Sequence, residues 1–117
     1  MLTSQAGSSL TRICVNGATI VDWPTFHDEF SRAFRFVDGY GRNRDAWIDC
    51  MTDLHGPKAL SGLRLPAGES IEIVLSDSAT VAKSYPEIFT DLLRLVRYAN
   101  NLYAEAQRDI RITVIEA

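Results

Sequence analysis

The chain has 117 residues, 46% of them hydrophobic and 23% charged, a balance typical of a globular protein with one core. Its net charge of −3 and pI of about 5.3 disfavour binding to the nucleic-acid backbone and favour a basic protein as partner. Neither a signal peptide nor an apolar run long enough to span a membrane is found, so we expect a cytoplasmic protein without membrane contact.

The first predicted element is a short strand. Residues 1–10 contain serine and glycine without an apolar pattern, so we expect a loose tail, followed by a single domain over residues 11–117. The β-prone residues Ile13–Val15 form the strand, and the turn signal Asn16-Gly17 ends it. Residues 18–21 are either a brief hairpin arm or the approach to the next helix.

An amphipathic helix is predicted next, with Asp22 as its N-cap. Its apolar stripe consists of Trp23, Phe26, Phe30, Ala33 and Phe34. His27 lies beside the stripe without a second ligand at metal-binding spacing, so we interpret it as a hydrogen-bonded structural histidine. After the helix, Phe36 and Val37 are expected to cover the core.

A second helix is predicted from about Arg44 to about Asp53. Gly41 allows a positive φ in the preceding turn, and Asn43 is a suitable N-cap. At about 100° per residue the helix has two faces. The core face consists of Ala46, Trp47, Cys50, Met51 and Leu54. The opposite face consists of Asp45, Ile48, Asp49 and Thr52.

The two aspartates of the second face, Asp45 and Asp49, lie one turn apart. Like charges at this spacing cost about 0.2–0.5 kcal/mol. They are either an ordinary solvated face or an anionic surface kept for a cationic partner, and spacing alone favours the first reading. A catalytic acid–base pair is disfavoured, because one exposed helix face gives both carboxylates nearly the same pKa.

A loop over residues 55–62 follows, in which the isolated His55 is expected at the surface. Leu63–Leu65 and Ser70–Leu75 flank a Pro-Ala-Gly turn and are interpreted as a hairpin. Cys14 and Cys50 both fall in apolar patterns, which predicts buried, unbridged thiols in a reducing compartment.

A long helix over about residues 86–107 is the most regular element. A short helical turn at residues 80–83 precedes it, and Ser84–Glu87 reads as a capping box. Its stripe consists of Ile88, Leu92, Leu95, Val96, Ala99, Leu102, Tyr103 and Ala106. Asn100-Asn101 could kink the helix. The β-branched run Ile110–Ile115 is the last strand.

This alternation of strands and helices predicts an α/β fold with a small three-stranded parallel sheet packed against helices, with room for an added hairpin strand. The sequence contains no phosphate-binding loop, no Cys/His metal spacing and no nucleophile turn. We therefore expect a binding protein, not an enzyme, with neither a cofactor nor a metal. No surface aromatic pattern suggests self-association, so we expect a monomer when free.

The central segment Tyr40-Gly41-x-Asn43-x-Asp45-Ala46-x-x-Asp49-Cys50 resembles the signature of the barstar family, which are intracellular inhibitors of ribonucleases. The resemblance includes Val15-Asn16-Gly17 and Phe26-His27 upstream. It implies a barstar-like fold. The loop at residues 55–70 is longer than in the family's best-known member, which implies a subfamily.

The resemblance also implies a function, in which the helix starting at Asn43 enters a ribonuclease active site. Asp49 would take the place of the scissile phosphate, and Asp45 would pair with a basic group at the rim. Glu105 is the candidate for a third acidic contact. The remaining contact positions are Gly39, Gly41, Arg42, Asn43, Ile48 and Thr52.

Two features depart from the family pattern. Gly39 and Ile48 stand where that pattern has aromatic contact residues, and Arg42 and Arg44 add positive charge beside the aspartates. The implied partner is therefore a different, cognate ribonuclease or another basic toxin. The alternative is an interaction module of the same fold that inhibits nothing, and a secreted ribonuclease encoded next door would favour the inhibitor.

Overall fold

The computed structural model describes residues 10–66 and 68–117. The elements in chain order are β1 (Leu10–Asn16), α1 (Trp23–Phe34), α2 (Arg44–Met51), β2 (Ser70–Ser76), α3 (Ser78–Ser84), α4 (Pro86–Glu105) and β3 (Ile112–Glu116). A 3-10 turn at Gly17–Thr19 leads from β1 towards α1, so residues 18–21 approach the helix and are not a hairpin arm. Over the described residues, no helix combines the length and apolar content needed to cross a bilayer.

β1 begins at Leu10, the last residue of the predicted tail. Leu10 already pairs with Ser70, whereas residues 1–9 of that tail lie outside the described part of the chain.

The sheet is parallel, with β2 at its centre and the order β1-β2-β3, which confirms the predicted three-stranded α/β fold. Side chains alternate along β2, and Ile71, Ile73 and Leu75 are fully buried. Because β1 and β3 pair with the two edges of β2, no edge is left for Leu63–Leu65, and the predicted hairpin is wrong. Leu65 is instead buried, and its N–H donates to the carbonyl of Leu54 at 3.0 Å.

The aromatic stripe of α1 is the centre of the core. Phe26, Phe30 and Phe34 are fully buried, as is Trp47 of α2. The rings of Phe30 and Trp47 meet edge to face, with centroids 5.6 Å apart. Such pairs contribute about 0.5–1.5 kcal/mol beyond their buried area. This contact fixes which side of α2 faces inward.

The connector after α1 follows the prediction at only one of its two apolar residues. Phe36 is buried as expected, but Val37 is 38% exposed. Phe36 forms an isolated antiparallel bridge with Ser61, and the N–H of Val37 donates to the carbonyl of Leu60 at 3.0 Å. In this locally extended backbone consecutive side chains point to opposite sides, so only one of them can reach the core.

α4 runs unbroken for 20 residues. Asn100 does not kink it but binds β3, because its amide donates to the carbonyl of Ile112 at 2.9 Å and its oxygen accepts from the N–H of Ile112 at 2.7 Å. The predicted turn at residues 80–83 is confirmed as part of α3. The capping box is wrong, since Ser84 ends α3 and the N-cap of α4 is Tyr85, which makes no side-chain cap bond.

The two cysteines are free thiols in different surroundings. Cys50 is buried as predicted, whereas Cys14 is exposed, because β1 alternates and Val15 takes the core-facing position. Burial, reinforced by the nearby Asp49 and Asp53, raises the pKa of the Cys50 thiol to about 11. Cys50 therefore stays protonated at neutral pH.

Candidate functional site

The turn before α2 brings the start of the helix to the surface. Asn43 is the N-cap as predicted, and its Oδ1 accepts from the N–H of Ala46 at 2.7 Å. The left-handed residue of this turn is Arg42, with φ of 55°, and not Gly41. Gly41 has a different role, because a Cβ at this position would lie only 3.3 Å from the Cβ of Ala46.

Asp45 and Asp49 are both exposed on α2. Within the described residues, neither carboxylate joins an ion pair or accepts a hydrogen bond from another side chain. Asp45 lies in the first turn, where the helix dipole favours an anion. Asp49 lies in the last turn, where the dipole disfavours an anion by about 0.3–1 kcal/mol. The fold itself therefore gains nothing from the charge of Asp49.

The two arginines beside this face are each bound to another helix. Arg42 pairs with Asp28 at 2.8 Å and donates to the carbonyl of Pro24 at 3.0 Å, both in α1. Arg44 binds Asp91 of α4, and its guanidinium carbon lies 4.9 Å above the ring of Trp23. Both positive charges thus have partners inside the chain. Neither arginine forms an ion pair with Asp45 or Asp49, the two residues that we define as the acidic face of α2.

Ile48 corrects the predicted division of α2 into two faces. It is only 6% exposed, so its assignment to the solvent face beside the aspartates is wrong. The reason is that α2 contacts α4 as well as the core, and Ile48 lies on that second contact. Thr52 is half-buried, and its hydroxyl donates to the carbonyl of Ile48 at 2.7 Å. Trp47 is fully buried, as predicted.

Asp53, the last acidic residue of the segment, belongs to the fold. It is buried, and its two carboxylate oxygens accept from the N–H groups of Lys58 at 3.4 Å and Leu60 at 3.1 Å. It thereby holds the loop that follows α2. In the part of the chain that is described, no three His, Cys, Asp or Glu side chains are grouped as metal ligands would be.

A hydrogen-bonded pair, the buried His27 and the half-buried Tyr40, supports the turn. The Nδ1 atom of His27 lies 2.6 Å from the hydroxyl of Tyr40, and His27 is 5% exposed, which confirms a structural, hydrogen-bonded histidine. Burial, and secondarily Arg42, lowers the pKa of His27 below its usual value. Burial also raises the pKa of Tyr40. Both pKa shifts favour the neutral forms of the two side chains, and their hydrogen bond anchors the backbone just before Gly41.

The other histidine, His55, is half-buried, not a surface residue. Its Nε2 lies 3.1 Å from the carbonyl oxygen of Glu69, so it connects the two ends of the loop between α2 and β2.

α4 lies beside α2 and runs in the same direction. Arg44 meets Asp91 near the start of both helices, and near their ends the hydroxyl of Tyr103 donates to the carbonyl of Met51 at 2.6 Å. Between these contacts Tyr98 is 56% exposed and lines a cleft with Asp45. The sequence reasoning missed Tyr98, although an aromatic residue outside the stripe of a long amphipathic helix is a signal of an exposed contact.

Glu105 and Gly39 lie at the margins of this surface. Glu105 is exposed on the last turn of α4, and among the described residues no ion pair joins it to α2. Gly39 is exposed too, and a Cβ built on it would meet nothing within 4 Å. A side chain at residue 39 would therefore start into open space, which glycine leaves unfilled. As partner contacts, both residues stay predictions.

Comparison with protein-family models gives a match over residues 11–115 to the model described as Barstar (barnase inhibitor). The match covers nearly the whole chain, including the turn, the acidic face of α2 and α4. The description is that of an inhibitor, which fits a binding protein better than an enzyme. Comparison with curated proteins gives no match. The sequence resemblance is confirmed, and the chain belongs to the Barstar family.

Proposed function

We propose that the chain binds a basic ribonuclease and blocks its active site with the acidic face of α2, in the cytoplasm of the cell that makes it. One observation carries the proposal. Asp45 and Asp49 are displayed on a packed helix without a partner among the described residues, while the neighbouring arginines are paired elsewhere. Two unpaired carboxylates on a fixed helix are complementary in charge to an enzyme pocket whose basic groups bind phosphate.

Asp49 stands in for the scissile phosphate of RNA. Its carboxylate accepts hydrogen bonds from the arginine, lysine and histidine groups of the enzyme, and such charge-assisted bonds are stronger than neutral ones. Asp45 pairs with a basic group at the rim, and the net charge of −3 speeds the encounter with a basic protein. Gly39, Gly41, Arg42, Asn43 and Thr52 surround the contact, and Glu105 flanks it from α4.

The cognate enzyme differs from barnase in the inhibitor residues that it contacts. Ile48 is buried, and Gly39 has no side chain, so α2 and its turn offer no exposed aromatic residue at these two positions. Aromatic anchors are common hot spots of interfaces. We therefore propose that barnase is bound weakly and a ribonuclease from the chain's own source tightly.

The test is an RNA-cleavage assay. Immobilised chain is exposed to lysate and secretome of the source organism, and the ribonuclease activity of the bound fraction is measured after elution. We expect a captured ribonuclease that one equivalent of the free chain inhibits, and barnase inhibited only at higher concentration. If no ribonuclease is captured and barnase stays fully active, the proposal is wrong.

A further inference from the structure

A cleft of about 410 Å³ lies between α2 and α4, directly beside Asp45. Its lining includes the buried apolar side chains of Ile48 and Leu95. The exposed ring of Tyr98 also lines it, together with the carboxylate of Asp45. A space of this size is within the range of pockets that hold small molecules.

The formal charges that line the cleft sum to zero, and Asp45 is the one of the four charged groups without an ion pair among the described residues. Arg44 and Arg94 both bond to Asp91, the latter at 3.5 Å, and Asp45 supplies the second negative charge. An anion placed here would be repelled by Asp45, and a cation would be repelled by the guanidinium groups of Arg44 and Arg94. A neutral, flat and apolar group avoids both of these repulsions. Guanidinium planes stack favourably on aromatic rings, as that of Arg44 already does on Trp23.

We propose that this cleft receives one aromatic side chain, tryptophan or tyrosine, that projects from the basic protein bound at Asp45 and Asp49. The identity of the protein that carries this side chain rests on the proposed function. The chemistry of the cleft does not depend on it. The complementary partner surface would have an aromatic residue next to its basic groups, because the acidic face of α2 borders the cleft.

The test uses small probes on the free protein. Methyl resonances of Ile48 and Leu95 are followed during titration with N-acetyltryptophanamide, and separately with butylguanidinium and butyrate. We expect saturable shifts only with the indole probe. Tyr98→Ala should weaken its binding by about threefold to tenfold, the value of one aromatic pair. Arg97→Ala is the matched control, an exposed position on α4 outside the cleft lining, and should leave binding unchanged.

The outcomes separate the two proposals. Absence of saturable shifts, or equal binding of butylguanidinium, overturns the aromatic assignment whatever the ribonuclease assay gives. If the indole probe binds but the chain captures no ribonuclease, the aromatic assignment of the cleft is supported. The proposal that a ribonuclease supplies the side chain is then wrong. Thermal melts of Tyr98→Ala check that the variant is folded, and the parent titration is decisive even without it.

Discussion

Replacing Asp49 by alanine distinguishes a solvated helix face from a partner-binding one. In the free protein the change removes the repulsion with Asp45, about 0.2–0.5 kcal/mol, and an anion in the last turn of α2, about 0.3–1 kcal/mol. Alanine also has the higher helix propensity. We therefore expect the variant to be about 1 kcal/mol more stable, which raises Tm by about 3–5 °C.

In the complex, the same change leaves the basic groups of the ribonuclease desolvated and unpaired. Truncating one partner of a buried charge pair generally costs about 2–5 kcal/mol, or about 30-fold to several-thousand-fold in Kd. The two effects have opposite signs, which an ordinary solvated face does not predict. Thermal melts measure the first effect, and titration of the captured ribonuclease by inhibition measures the second.

A matched pair of variants controls for net charge. Asp49→Asn and Asp77→Asn each remove one carboxylate, and asparagine tolerates the left-handed backbone of Asp77, whose φ is 51°. Only Asp49→Asn should lose inhibition. If Asp49→Ala inhibits as well as the parent, the phosphate-mimic role is wrong, and if it unfolds, Asp49 is a structural residue.

Three further predictions concern the fold. Trp47→Ala should destabilise the protein by about 3–5 kcal/mol in urea unfolding, and an unchanged midpoint would place α2 in a different orientation. Thiol titration without reductant should give two free thiols after denaturation, with only Cys14 reactive in the native protein, whereas fast labelling of Cys50 would contradict its burial. Because burial lowers the folded-state pKa of His27 and of His55, the unfolded chain binds more protons below its histidine pKa of about 6.5. Stability should therefore fall as pH decreases from 6.5 towards these folded-state values, and urea titrations of His27→Gln should show a smaller pH slope.

The elements that the sequence predicted well are those with a strong local signal. The stripe of α4 repeats over five turns, and the N-caps Asp22 and Asn43 each stand directly before an apolar pattern. β-branched residues marked the last strand. Helical periodicity also placed Asp45 and Asp49 on the exposed face of α2, whereas their use by a partner is implied by the family motif alone.

The failures come from contacts between distant parts of the chain. Periodicity assigns one buried face to a helix, but α2 packs against both the core and α4, and Ile48 is buried by the second of these contacts. The pairing of Arg44 with Asp91 spans 47 residues and leaves no local trace. Ser84 fitted a capping pattern, yet α3 extends to it and removes it from that role.

The shortness of α2 has a consequence for its use as a ligand. The helix has 8 residues, whereas isolated helices below about 12–15 residues are marginal in water. Its shape comes from the burial of Trp47, the bond of Arg44 to Asp91 and the bond of Tyr103 to Met51. A synthetic peptide with the same sequence would be a disordered chain and would lose conformational entropy on binding. The surrounding protein removes that loss in advance, so preorganisation is what the rest of the domain contributes to affinity.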